Sequence, residues 1–177
     1  MHRDTLKDFA AEAENLSRED FVQKYPHPFL VGQGASTVSS QAFQTQAGFK
    51  AAPLEDADRK AEKDLPVHRI VKSDRNTFGT MITLGRSDNN DVVLDPPSVS
   101  KFHAYFSGDP GQPGSYKVCD ADSRYGTFKG EKRMRPSVPQ PLKTGDTLVF
   151  GKSSPFVVYF PADFYDYLKV LKGLKKL

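Results

Sequence analysis

The chain has 177 residues, a length typical of one domain with extensions or of two small domains. Its net charge is +3, and its hydrophobic share of 37% is low enough to place part of the chain outside any core. The single cysteine excludes an intrachain disulfide framework and a cysteine-rich zinc site. No apolar run is long enough to cross a membrane, and acidic residues replace the apolar stretch of a signal peptide. A cytoplasmic protein is therefore expected.

The charge is distributed unevenly along the chain. Residues 1–66 carry 8 basic and 11 acidic side chains, whereas residues 67–177 carry 17 basic and 11 acidic ones. The positive excess of the second part favours an anionic partner such as a phosphate, although a solvated basic surface would have the same composition.

The first 31 residues are predicted to be a helical segment. Apolar residues recur there at helical spacing, namely Leu6, Phe9, Ala10, Ala13 and Leu16. Ser17 and Asp20 are placed to cap a second short helix, which must end before Pro26. The apolar residues 29–31 then form a short docking strip. Residues 32–65 begin with a stretch rich in Gly, Ser, Gln and Ala, which is typical of a flexible linker.

Residues 66–160 have the pattern of a β-sandwich. Short runs rich in Val, Ile, Thr, Phe and Tyr alternate with turn residues, without long helices between them. After Pro161 the spacing becomes helical again, with an apolar face that includes Phe164 and Leu168 and a lysine-rich end. The expected fold is mainly β, with an N-terminal helical segment and a C-terminal amphipathic helix over residues 161–177. Both helical faces need a cover, either the sandwich itself, a second copy of the chain, or a partner.

Four loop motifs within the sandwich carry chemistry suited to an anion. In chain order they are GRSDNNDVVL, SVSKFHAYF, DADSRYGTFKG and LKTGDTLVFG. Arginine can bind two phosphate oxygens at once, a serine hydroxyl donates a further bond, and lysine adds a charge. Each motif alone would also suit a solvated turn, so their order and spacing carry the argument.

The set resembles the forkhead-associated (FHA) domain, a β-sandwich that binds phosphothreonine peptides. The family pattern is Gly-Arg, Ser-x-x-His, Ser-x-Asn-Gly-Thr and Leu-x-x-Gly-Asp, and the resemblance covers residues 66–160. It implies a non-catalytic module that binds a phosphothreonine-containing protein in signalling or assembly. The phosphopeptide-binding positions would be Arg86, Ser100, Lys101, Arg124 and Tyr125. The residues supporting the binding loops would be Gly85, His103, Gly126 and Thr127.

Tyr125 departs from the family pattern, which has asparagine at this position. Asparagine contacts the backbone of the bound peptide in this family, and a tyrosine hydroxyl cannot reproduce both bonds of an amide. The alternative hypothesis is therefore a structural interaction protein with a degenerate site, which acts independently of phosphate. A third hypothesis is a regulatory subunit that recruits or inhibits an enzyme.

Other site classes have little support in the sequence. The acidic residues lack the spacing of a calcium loop, and the four histidines lack metal-ligand spacing, so no metal or cofactor is expected. No catalytic motif is present, and a protein that is not an enzyme is expected. The basic cluster at Lys132, Arg133 and Arg135 is interpreted as an exposed hairpin, so nucleic acid is not an expected partner. The C-terminal helix lacks the length and basicity usual for a membrane anchor, so a membrane is not expected either. Association with a second copy, or within the chain, through the N-terminal helix is kept as an alternative.

Overall fold

The computed structural model describes residues 4–33, 65–109, 112–153 and 155–173. The helices are α1 (Leu6–Asn15), α2 (Arg18–Lys24) and α3 (Pro161–Gly173). The strands are β1 (Phe29–Gly32), β2 (Val67–Arg69), β3 (Ile82–Gly85), β4 (Val92–Val93), β5 (Ala104–Asp109), β6 (Gln112–Asp120), β7 (Thr127–Lys129), β8 (Lys132–Arg133), β9 (Gln140–Pro141), β10 (Thr147–Phe150) and β11 (Phe156–Tyr159).

The strands form two sheets that pack face to face. One sheet has six strands in the order β2-β1-β11-β10-β7-β8, and the other has five in the order β4-β3-β5-β6-β9. Pairing is antiparallel except between β3 and β4. The core between the sheets includes Leu84 and Phe106 from one sheet and Leu148 and Phe150 from the other, all fully buried. The predicted β-sandwich with helices before and after it is confirmed.

The strand β1 corrects the predicted start of the sandwich. Residues 29–31 were expected to end a helical segment as a docking strip, with the sandwich beginning at residue 66. Instead β1 lies between β2 and β11, with Phe29 opposite Tyr159 and Gly32 opposite Phe156. Its four residues are all buried, because one face meets the sandwich core and the other meets the helices. A strand buried on both faces has a continuous apolar sequence rather than an alternating one.

The N-terminal helices fold back on their own chain. A second apolar cluster joins α1 and α2 to α3 and to the outer face of β1. Phe29 and Phe164 are at its centre, with their rings 4.5 Å apart, and Phe9 packs edge-on against both. Arg18 of α2 adds an exposed ion pair with Asp166 of α3. The described apolar faces of the helices are therefore covered by the sandwich and by each other.

Most of the linker predicted over residues 32–65 is outside the described residues, as are residues 174–177 of the predicted C-terminal helix. At the two ends of the linker, the Gly32 N–H donates to the Pro66 carbonyl at 2.8 Å. Each described helix is too short or too polar to cross a bilayer.

Candidate functional site

Three loops meet at one end of the sandwich: the β3–β4 loop, the β4–β5 loop and the β6–β7 loop. The Arg86 N–H donates to the Ser100 carbonyl at 2.9 Å, which joins the first loop to the second. The Arg124 N–H donates to Ser100 Oγ at 3.1 Å, which joins the third loop to the second. The structure therefore brings together Arg86, Ser100 and Arg124, which lie far apart in the sequence.

Gly85 allows the close approach of the first two loops. A Cβ atom at this position would lie 2.2 Å from the Lys101 carbonyl oxygen, so any side chain would force the loops apart. The buried side chain of Asn90 fixes the same junction, because its amide donates to the carbonyls of Ser87 at 2.9 Å and Lys101 at 2.7 Å. The sequence analysis identified Gly85 but missed Asn90, since asparagine in a loop is also an ordinary turn former.

The cations of the site are exposed and are not neutralised by neighbouring side chains. The Arg86 Nε donates to the Val99 carbonyl at 3.3 Å, which fixes the guanidinium. Its two terminal nitrogens have no hydrogen-bond partner among the described residues. Arg86, Lys101 and Arg124 are all exposed, and none forms an ion pair with a described carboxylate. Their charge is therefore available to an external anion.

Ser100 is half-buried at the centre of this group. Its Oγ accepts the Arg124 N–H, and its own hydroxyl hydrogen has no acceptor among the described residues. A hydroxyl donates one bond while it accepts others, so Ser100 retains a donor for an anion placed between the two arginines.

His103 lies behind the loops, where it is fully buried. Its Nδ1 accepts the Ser100 N–H at 3.0 Å, so that nitrogen carries no proton. Its Nε2 then donates to the Gly126 carbonyl at 3.2 Å. The neutral imidazole thus connects the β4–β5 loop to the β6–β7 loop, and protonation of Nδ1 would break the bond to Ser100.

We expect folding stability to depend on the protonation of His103. Burial lowers the pKa of His103, and the Gly126 carbonyl and the Asp120 charge oppose this shift without cancelling it. An unfolded histidine titrates near a pH of about 6.5. The contribution to stability should be complete above that pH and should be lost as the pH falls through the lower folded value. Urea unfolding between neutral and mildly acidic pH measures this loss.

Ring NMR resonances would separate His103 from His27, whose pKa is also lowered by burial and by the Arg69 charge. A His103 ring that titrates at or above the unfolded value would contradict the prediction.

Asp120 supports the β6–β7 turn from inside the sandwich. Its carboxylate is buried and accepts the Ser123 N–H at 3.0 Å, the Ser123 hydroxyl at 2.7 Å and the Thr127 hydroxyl at 2.6 Å. Gly126 completes the turn with a φ of 80°, a conformation that glycine adopts without strain. Thr127 is fully buried, so its structural position lies beneath the turn rather than at the anion site.

Tyr125 lies at the surface of the same turn, with 37% of its area exposed. The Arg124 guanidinium carbon is 5.3 Å from the centre of its ring, and the Lys152 Nζ is 5.0 Å from it. Lys152 belongs to the turn after β10 and was not identified from the sequence, because it lies just beyond the last motif. The ring that replaces the expected asparagine therefore lies beside two cations.

The remaining charged candidates of the sequence are the acidic residues, the histidines and the basic cluster after the third motif. Among the described residues, no three side chains of His, Cys, Asp or Glu gather in the way that metal ligands do. Lys132 and Arg133 lie on the exposed strand β8, as expected for a hairpin. Arg133 also lies close to the β6–β7 turn, since a Cβ at Gly126 would be 2.5 Å from its Nε.

Comparisons with known proteins find a family model and relatives that match parts of this chain. The family model described as "FHA domain" matches residues 82–151. The DNA damage response protein kinase DUN1 of Saccharomyces cerevisiae is 41% identical over 86 residues, which span 46% of this chain but only 16% of the kinase. The oxoglutarate dehydrogenase inhibitor of Corynebacterium diphtheriae is 28% identical over 145 residues, covering 82% of this chain and 87% of the inhibitor.

A solved structure of Mycobacterium tuberculosis EmbR in complex with a low-affinity phosphopeptide is 28% identical, with a TM-score of 0.40. The match covers 46% of this chain and 20% of that one. The resemblance of the four motifs to the FHA domain is confirmed by the family model, which matches residues 82–151.

Proposed function

We propose that this domain binds a phosphothreonine peptide of a partner protein at the loops around Ser100, and that it acts without catalysis. The observation that carries the proposal is the unused donor capacity of the site. Ser100 retains a hydroxyl hydrogen, and the neighbouring Arg86 and Arg124 have no described carboxylate partner. Exposed cations and a free hydroxyl around one point match the charge and the three acceptor oxygens of a phosphate group.

The rigidity of the loops supports the proposal. His103 bonds to the second and third loops, and Asn90 bonds to the first and second, so the site is formed before a ligand arrives. A site that is already ordered loses little conformational freedom on binding, and most of the contact energy then contributes to affinity.

A regulatory role is supported by the similarity of most of this chain to the oxoglutarate dehydrogenase inhibitor. The relative whose similarity covers 82% of this chain is, by its name, an inhibitor of an enzyme. A module of this kind controls a partner by contact, and phosphorylation of that partner or of a third protein would decide when the contact forms.

The proposal is tested by titrating the full chain with a degenerate phosphothreonine peptide library and with its unphosphorylated counterpart. We expect binding of the phosphorylated library alone, because a phosphate adds a charge of about −2 and three acceptor oxygens to one side chain. Calorimetry or fluorescence anisotropy measures the two affinities. Equal affinity for both libraries would contradict the proposal.

Equal affinity would instead favour the second candidate, a phosphate-independent interaction protein. Tyr125 is the observation in its favour, because the exposed ring cannot make the two amide bonds of the asparagine in the family pattern. The variant Tyr125→Asn separates the two candidates. A gain in phosphopeptide affinity supports the phosphothreonine reader, whereas the loss of a partner that binds without phosphate supports the interaction protein.

A further inference from the structure

The turn between β10 and β11 is held against two loops of the site. The Gly151 N–H donates to the Gly126 carbonyl at 2.9 Å, and the Lys152 N–H donates to Ser98 Oγ at 3.0 Å. A Cβ at Gly151 would lie 2.4 Å from the Ser98 carbonyl oxygen, and the φ of Gly151 is +65°. Only glycine permits this approach, so the backbone of Lys152 has a fixed place at the rim of the site.

The Lys152 ammonium lies near the same tyrosine ring as the Arg124 guanidinium. The two distances to the ring centre of Tyr125 are 5.0 Å and 5.3 Å, within the range of cation–π attraction. Attraction to one exposed ring holds two like charges near each other, although they repel. An anionic group beside the ring would be attracted by both cations, so their positions favour negative charge there.

The charge of the whole site exceeds that of one phosphate. Arg86, Lys101, Arg124 and Lys152 are all exposed, and none of them has an ion-pair partner among the described residues. A phosphothreonine supplies a charge of about −1.5 to −2 at neutral pH. The cations that the phosphate does not neutralise would attract acidic groups elsewhere in the peptide. An acidic peptide should therefore bind more tightly than a peptide that is neutral apart from its phosphate.

From this arrangement we infer that Lys152, held over Tyr125 with Arg124, binds a second anionic group of the phosphothreonine ligand. The inference rests on the proposed phosphothreonine binding. The second group is a carboxylate or a second phosphate, since both present oxygen acceptors with negative charge. Tyr125 would then act as the platform that holds the lysine near the phosphate, in place of the amide that contacts the peptide backbone.

The test uses phosphothreonine peptides in which each flanking position carries in turn asparagine, aspartate or phosphoserine. We expect the parent chain to prefer an acidic group at one flanking position by about fivefold, the upper range of an exposed charge pair. The aspartate and phosphoserine peptides distinguish a carboxylate from a second phosphate. Lys152→Met should abolish the preference and Lys152→Arg should retain it, where the preference is the ratio of the affinities of one variant for the acidic and the asparagine peptides.

The matched control is Lys143→Met, which changes an exposed lysine in the turn before β10, at the opposite end of that strand. This control should keep the full acidic preference. Equal affinity of the parent for neutral and acidic peptides, or an unchanged acidic preference in Lys152→Met, would overturn the inference. The proposed function would still be supported in either case if binding of the asparagine peptide depends on its phosphate. Binding of that peptide without phosphate dependence would overturn both.

Discussion

Replacement of Arg86 by alanine should weaken phosphothreonine peptide binding at least tenfold while leaving the fold intact. The guanidinium is exposed, and within the described part of the chain it makes one hydrogen bond, from Nε to the Val99 carbonyl, so its terminal nitrogens contribute little to folding. A hydrogen bond to a charged group is worth about 1.5–3 kcal/mol, and about 1.4 kcal/mol is a factor of ten in affinity. Calorimetry with one phosphopeptide measures the loss, and thermal unfolding checks the fold.

The charge-matched control for this variant is Arg18→Ala. Arg18 lies in the helical layer, where its ion pair with Asp166 is exposed at both side chains and contributes little to stability. The control removes the same charge without touching the loops, so it should bind the peptide within about twofold of the parent. Similar losses in both variants would mean that net charge, rather than the Arg86 contact, determines affinity, and the proposed site would be abandoned.

The sandwich was predictable because β3, β5, β10 and β11 each lie in an apolar run between turn residues, whereas the two polar residues of β8 give no such signal. The strand β1 was not predictable, because a short run of apolar residues suits a buried strand and a docking strip equally well. The choice between them depends on α3 and β11, which contact β1 from the other end of the sequence. Similarly, the loop positions of the four motifs followed from their order, whereas Lys152 became visible only through the contacts of its turn with Ser98 and Gly126.

Buried polar residues were the hardest to predict. Asp91, Asn90 and Asp120 occur among turn residues, where local bonds explain them adequately. The partners of Asp91 and Asn90 include Ser73 and Lys101, which are distant in sequence, and no periodic pattern marks such a pairing. The sequence analysis found only that the acidic residues lack the spacing of a calcium loop, whereas in the structure Asp91 and Asp120 support the loops.

The largest expected effect on stability is at Asp91, which joins residues 72–73 to β3 and to the β3–β4 loop. Its side chain is fully buried, with an exposed fraction of 0%, and its Oδ2 is 3.0 Å from the Lys72 ammonium. The carboxylate also accepts the N–H groups of Ser73 at 2.8 Å and Thr83 at 2.7 Å, together with both hydroxyls. Loss of the carboxylate would leave these donors unpaired in a site too enclosed for water to replace every bond.

We expect Asp91→Ala to lower the free energy of unfolding by about 3–5 kcal/mol, as the removal of one partner from a buried ion pair does. Asp91→Asn keeps one acceptor oxygen and the side-chain volume, so its loss should be smaller. The control Asp88→Ala changes an exposed carboxylate of the same loop and should shift the free energy by no more than about 0.5 kcal/mol. Urea unfolding measures all three, and equal stabilities of Asp91→Ala and Asp88→Ala would contradict the assigned role.

The Asp91 carboxylate should also contribute to the loss of folding stability at low pH. Burial raises the pKa of Asp91, but the bonds from Thr83, Ser73 and Lys72 outweigh burial and hold the pKa well below its usual value of 3.8. The unfolded chain therefore takes up this proton first, so the contribution of Asp91 is complete above the unfolded pKa and is lost as the pH falls through the folded one. Asp91→Asn removes this titration, so its unfolding free energy should depend less steeply on pH below about 4 than that of the parent. Parallel acid profiles for the two proteins would show that the carboxylate is not ionised in the folded state, because only an ionised group adds this dependence.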